Sequence, residues 1–185
     1  MYTPVPRLIL HPADPRYVPG DHNEIFKALL AIGLLTETTC DKHTYLAGKE
    51  FINLLTFLGC SPEIKLSPQD GENFCSISIP GYHEDNMLLG YTSTIIPRCP
   101  ACKHKVNDWK QHIHDWKHGN HIYHCTECQQ QTPVAELNWR QEGGYGHCAI
   151  IINHIHPHEA VPADKLLSTL QQASQTEWVY CYANN

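Results

Sequence analysis

Cys99-Pro100-Ala101-Cys102 and Cys125-Thr126-Glu127-Cys128 stand about two dozen residues apart, and the rest of the chain is read outward from them. A two-residue gap lets one tight backbone turn aim two thiolates at a single point. The intervening loop, slightly longer than is usual for four-thiolate sites, returns the second pair to the same point. Four soft donors in a tetrahedron suit a zinc ion. A redox Cys-x-x-Cys would need a thioredoxin-like βαβ pattern around it, and neither hook has one. The sequence therefore predicts one structural Zn2+ held by Cys99, Cys102, Cys125 and Cys128. Four thiolates close the coordination shell and leave no place for a reactive water, so the ion is expected to hold structure and not to catalyse.

These residues resemble the zinc-ribbon superfamily, with the same four cysteines as the matching ligands. The resemblance covers residues about 97–130. It implies the metal but not the task, since ribbons occur in transcription factors, ribosomal proteins, enzymes and adaptors.

On either side of the hooks the hydrophobic pattern alternates between strand and helix. Leu8-Ile9-Leu10 reads as a first strand, and a helix follows with Ile25, Phe26, Leu29, Leu30 and Ile32 on one face. Asp21 and Glu24 suggest its capping box, and Gly33 is placed to end it. Phe51, Leu54, Leu55 and Leu58 predict a second helix over 47–58, stopped by Gly59 and Pro62. Cys75, Ile77 and Ile79 alternate as one face of a strand, and Met87 to Ile96 leads as an apolar stem into Cys99.

Inside the loop, Val106, Trp109, Ile113 and Trp116 fall on one helical stripe, and Ile122-Tyr123 reads as a strand into the second hook. A polar turn at Gln129 to Gln131 and a returning strand over Val134 to Trp139 are expected next. Gly143 to Gly146 reads as a turn, Cys148 to Ile155 as a strand, a helix from Pro162 carries Leu166, Leu167 and Leu170, and Trp178 to Tyr182 closes as a strand. Strand, helix, strand at both ends of the chain suggests an α+β fold, a ferredoxin-like α/β sandwich with the zinc ribbon inserted between its second and third core strands. Residues 1–96 and 135–185 would form the single core domain and 97–134 the inserted module.

Composition bounds the function. With 185 residues and a net charge of -6, the chain is poorly suited to coating nucleic acid, whose nonspecific affinity comes from Lys and Arg. No apolar run approaches a membrane span and no secretory leader is evident, so a cytoplasmic protein is expected. Cys40, Cys60, Cys75, Cys148 and Cys181 lie in apolar surroundings, as buried thiols of a reducing compartment would.

Further chemistry is weaker in outline. His154 and His156, on one face of a continuing strand, would stand about 6.6 Å apart, and His158 and Glu159 follow. That cluster would suit a second ion in a metal-dependent hydrolase or metal-handling protein, or else is a solvated strand end. His104, His112, His114, His118, His121 and His124 in the loop are equally ambiguous, and the adjacency of His124 to Cys125 argues against its replacing a thiolate. His147 and Cys148 are neighbours in a strand, so their side chains diverge and cannot pair. Cys60 follows a predicted helix C-terminus, where the dipole disfavours a thiolate. Arg98, Lys103, Lys105, Lys110 and Lys117, interleaved with Trp109 and Trp116, could serve a nucleic acid, but the stripe on which the tryptophans fall favours their burial. The expectation is a non-catalytic binding or adaptor module, using the exposed side of the loop helix and the Tyr123 region toward a protein partner, with nucleic-acid binding as the alternative.

Overall fold

A computed structural model of the chain describes residues 5–20, 22–59, 64–70 and 73–185. In chain order the elements are β1 (Arg7–Pro12), α1 (His22–Ala31), β2 (Leu35–Asp41), β3 (Thr44–Ala47), β4 (Leu55–Phe57), β5 (Ser76–Ser78), β6 (Met87–Tyr91), β7 (Ile122–His124), β8 (Gln131–Pro133), β9 (Gly143–Gly146), β10 (Ile150–Asn153), β11 (Ala160–Pro162), α2 (Asp164–Ser174) and β12 (Trp178–Ala183). The fold is mixed α and β, with every strand pair antiparallel. A six-stranded sheet in the order β12-β1-β10-β5-β3-β2 is its centre, and three two-stranded sheets, β4-β11, β6-β9 and β7-β8, attach to it.

Strand alternation divides the burden between the two faces of that sheet. Leu8, Leu10, Ile150, Ile152, Trp178 and Tyr182 pack toward Ile25 and Leu29 of α1 and Leu166 and Leu170 of α2. Ile9, Ile151, Cys181 and Ala183 point the other way, and Leu89 of β6 packs over them. Both faces are thus covered where β1 runs, which explains why Leu8, Ile9 and Leu10 are all fully buried.

Helix α1 forms where its periodicity predicts. Gly33 (φ 75°) ends it: its N–H donates to the Leu30 carbonyl and that of Leu34 to the Leu29 carbonyl. This is a Schellman cap, closed by the buried pair Leu29 and Leu34. The expected cap at Asp21 lies outside the described residues, as do Cys60 and Pro62. Cys75 and Ile77 face the core as expected; β10 lies within its predicted segment, α2 follows the predicted start at Pro162, and β1 and β12 contain the predicted strands but run longer, β1 through His11 and Pro12 and β12 to Ala183.

Four expectations are corrected. Residues 47–58 do not form a helix: Gly48 and Glu50 donate to the Leu34 and Gly33 carbonyls, a 3-10 turn buries Phe51 and Leu54, and β4 then pairs with β11. A 3-10 turn aligns residues three apart, so the spacing of Phe51 and Leu54 is met without a long helix; Leu58 is left 59% exposed. Val134–Glu136 is likewise a 3-10 turn and not a strand, because the return pairing is made earlier, by β8 on β7.

Gly143 to Gly146 is strand β9, not a turn. A Cβ at Gly143 would lie 2.8 Å from the Trp139 ring, and one at Gly144 would lie 2.7 Å from His11 Nε2 and 2.8 Å from Cys181 Sγ. These glycines permit close approach between layers. Cys40, finally, is exposed on edge strand β2, whereas Cys75, Cys148 and Cys181 are buried.

Gly144→Ala should lower unfolding free energy by about 1–3 kcal/mol, because neither buried neighbour can retreat. Gly146→Ala, whose nearest contacts are 3.4 Å, should cost clearly less. Urea unfolding of both variants checks the difference.

Candidate metal centre

The two Cys-x-x-Cys segments fold into turns of one design. Lys103 N–H donates to the Cys99 carbonyl and Cys99 N–H to the His104 carbonyl; Gln129 N–H donates to the Cys125 carbonyl and Cys125 N–H to the Gln130 carbonyl. Lys103 (φ 64°) and Gln129 (φ 61°), each just after its second cysteine, are left-handed and reverse the chain. Strand pairing then positions the turns: β7 with β8 supports the second, while reciprocal backbone bonds between Arg98 and Asn138 tie the first to the segment leaving the module.

The result brings together all four sulfurs predicted from spacing. They lie within 4.8 Å of one another, with Cys99 Sγ 3.7 Å from Cys128 Sγ and Cys102 Sγ 3.6 Å from Cys125 Sγ. Those separations are far beyond a disulfide bond of about 2.05 Å. Cys99 and Cys125, the first of each turn, are buried; Cys102 and Cys128 are exposed.

Backbone amides of Cys128 and Glu127 draw the Cys125 thiol down to about 6, against the pull of desolvation. At Cys102 the His104 amide also favours the thiolate, but desolvation and the three other sulfurs outweigh it and push the group up to about 12. One sulfur ionises readily and its neighbour then resists. A metal cation removes that conflict, and this group can hold one.

A hydrophobic cluster lies beneath the sulfurs: Ile95, Val106, Trp109, Trp116, Val134, Leu137, Trp139 and Tyr145. Trp109 meets Tyr91 at 5.1 Å and Trp139 at 5.3 Å, both edge to face. Their polar tips are satisfied: the Trp109 and Trp139 indoles donate to the Ile95 and Val134 carbonyls, and the Tyr145 hydroxyl to that of Trp116. The expected loop helix is instead two 3-10 turns, Trp109–His112 and Asp115–Lys117, which bury the same stripe residues Trp109 and Trp116. The tryptophans are therefore walls of a core and not open stacking platforms, and Lys110 and Lys103 spend their ammonium groups on the Ser93 and Pro100 carbonyls.

A groove of ≈ 450 Å³ opens beside this core, lined by His104, His112, Trp116, His121, Tyr123 and His124 among others. His112 stacks on Trp116 at 5.6 Å and Tyr123 meets Trp116 edge-on at 5.8 Å. His104, His112, His121 and His124 thus belong to a groove wall, an arrangement that sequence spacing did not reveal, whereas His118 lies 3.5 Å from the Asp85 carboxylate.

The C-terminal histidines do not assemble. Strand β10 stops at Asn153, and His154 is left-handed (φ 61°), which breaks the alternation that would have aligned His154 with His156. His158 instead packs on the Tyr182 ring at 4.9 Å, and the Glu159 carboxylate accepts the His156 backbone N–H. Among the described residues, the four cysteines are the one group of three or more His, Cys, Asp or Glu able to hold an ion. Burial pushes the Cys148 thiol up to about 11 and those of Cys75 and Cys181 to about 12, so none is ionised near neutrality.

No family model matches the chain, and comparison with the curated proteins and with the solved structures returns no match. No helix among the described residues is long and apolar enough to cross a membrane.

The turn geometry is testable at Lys103. Lys103→Val, a β-branched residue at φ 64°, should destabilise the protein by about 1–3 kcal/mol, whereas Lys103→Gly should melt at or above the parent temperature. Thermal unfolding of the two variants side by side checks it.

Proposed function

We propose that the chain is a non-catalytic binding protein whose insertion, stapled by one zinc ion, holds out a groove for an extended segment of a protein partner. For zinc, the support is chemical and metric. Four thiolates are the donor set of structural zinc, and a Zn–S bond of about 2.3 Å implies a tetrahedral edge near 3.8 Å; the sulfur pairs at 3.6 and 3.7 Å approach it.

The observation that carries the partner reading is the open side of β7. Among the described residues strand β7 pairs only with β8, and Ile122, Tyr123 and His124 all line the groove. Tyr123 is opposite Thr132, Cys125 N–H reaches Gln130 and Val134 N–H reaches His121, so the odd-numbered residues spend their backbone groups on β8. In an antiparallel ladder the intervening Ile122 and His124 then turn theirs outward, along the groove. Such an edge accepts an added strand, with Tyr123 and the imidazoles offering pockets to its side chains. Coverage of Trp109 and Trp116 favours this reading over the nucleic-acid one.

The core in this proposal is ferredoxin-like. The supporting pattern is the order β12-β1-β10-β5, with α1 between the first and second of these strands in sequence and α2 between the third and fourth. The β2-β3 hairpin extends the sheet, and the ribbon, residues 97–134, enters between core strands β5 and β10. A cytoplasmic setting is part of the proposal, supported by free Cys75, Cys148 and Cys181.

Elemental analysis should find one zinc per chain, lost in Cys99→Ser/Cys128→Ser. Chelation should shift tryptophan emission to the red as Trp109, Trp116 and Trp139 become wet. Peptides selected from a random display library on the zinc-loaded protein should slow amide exchange at Ile122 and His124. Ile122→Pro removes an outward N–H without breaking the β7-β8 ladder, and should weaken those peptides at least about tenfold at unchanged zinc content. Undiminished binding by that variant, or salt-sensitive capture of single-stranded oligonucleotides in place of peptides, would overturn the partner assignment while leaving the metal untouched.

A further inference from the structure

A second cavity lies away from the sulfurs, between the β1-β12 end of the main sheet and the segment that leaves the module. Its volume is ≈ 270 Å³, and its lining includes His11, Asn138, Trp139, Arg140, Tyr145 and Tyr180. His11 is 9% exposed and lies on the sheet face away from the helices. Its Nδ1 lies 2.9 Å from the Pro12 carbonyl oxygen. A carbonyl can only accept, so Nδ1 carries the proton and Nε2 is a bare acceptor. Burial also lowers the tendency of this imidazole to take a second proton. Among the described residues Nε2 has no hydrogen-bond partner. It faces Gly144, which lines the same cavity, and a Cβ there would lie 2.7 Å away. Nε2 is open to the cavity and not sealed among protein atoms, so a donor that enters there can reach it.

The rim supplies the opposite chemistry. Arg140 (φ 54°) and Gln141 (φ 61°) are the central residues of a tight turn closed by Glu142 N–H on the Trp139 carbonyl. Two successive left-handed residues are the pattern of a type I′ turn, where Asn-Gly is the unstrained choice. Long side chains held there against backbone preference point to a use for them. Among the described residues the Arg140 guanidinium forms no ion pair, and no carboxylate lines the cavity. Asn138 and Gln141 add neutral amides, and Leu137, Trp139, Tyr145 and Val179 make much of the rest of the wall apolar or aromatic.

We infer that this cavity binds a small hydroxy-carboxylate with an apolar body: Arg140 pairs with the carboxylate, and His11 Nε2 accepts the hydroxyl proton. An amino acid is disfavoured, because its ammonium would find no carboxylate partner in the lining. The inference stands apart from the metal and peptide readings in its polar groups, His11 and Arg140, while Trp139 and Tyr145 of its wall also belong to the core of the sulfur module.

The probe is 3-phenyllactate, titrated into zinc-loaded protein with imidazole nitrogens observed by NMR. A saturable shift of His11 Nε2 is expected. 3-Phenylpropionate, lacking the hydroxyl, should bind about tenfold more weakly, and phenylalanine and inorganic phosphate should produce no saturable shift. Arg140→Gly should weaken 3-phenyllactate at least about tenfold while the melting temperature holds or rises. This separates a lost contact from a lost fold. No saturable shift with 3-phenyllactate, equal affinity for 3-phenylpropionate or phenylalanine, a saturable shift with phosphate alone, or full affinity in Arg140→Gly would each overturn the assignment.

Discussion

Strand β1 has to be dry on both sides, and most of the architecture answers that constraint. Helices α1 and α2 cover one face of the sheet; on the other, nothing in the strand and helix repeat at the two ends of the chain is available. The stretch over residues 87–146 fills that place. Its stem, β6 paired with β9, lies over Ile9, Cys181 and Ala183, and the fit is so close that Gly90 and Gly144 have no room for a Cβ. That stretch is therefore part of the core's solvent shield.

The sulfur cluster and the tryptophan cluster divide the work of holding the projection. Residues 97–134 are crossed by short turns and two three-residue strands, with little regular hydrogen bonding. Trp109, Trp116 and Trp139 give the module an apolar floor continuous with Tyr145 of β9, so it is anchored to the stem. The cysteine turns fix the other side of the projection, where Cys99 and Cys125 are buried. Removing either support leaves the groove wall of His112, Trp116 and Tyr123 without a fixed shape.

What was legible in the sequence was local. Cys99, Cys102, Cys125 and Cys128 announce themselves because turn geometry is set within four residues, and α1 because its periodicity ends at a glycine that can adopt a positive φ. What misled was decided at a distance. Residues 47–58 carry a helical spacing, yet the Leu34 carbonyl and strand β11 claim their backbone. Gly143 to Gly146 looks like a turn until His11, far earlier in the chain, is found beneath Gly144. His11 itself gave one faint signal: it continues the alternation of Ile9 directly after the apolar run Leu8-Ile9-Leu10, where a polar side chain is drawn into the interior. The histidines after β10 stood open between an ion site and a solvated strand end, and a single left-handed residue, His154, cancels the period that the ion site needed.

The pairing of β1 with β12, from Arg7 opposite Ala183 to Pro12 opposite Trp178, joins strands far apart in the sequence. During synthesis the main sheet must wait until β12 is made, because loop closure on that scale precedes any reward from the contact. The strand pairs and the tryptophan core that shape the sulfur module lie within residues 87–146. It can close, and take up its ion, while β10, α2 and β12 are still to be added. The nascent chain would then carry a finished metal-bound knob ahead of an unfinished sheet, with Ile9 and Leu10 waiting for their partners.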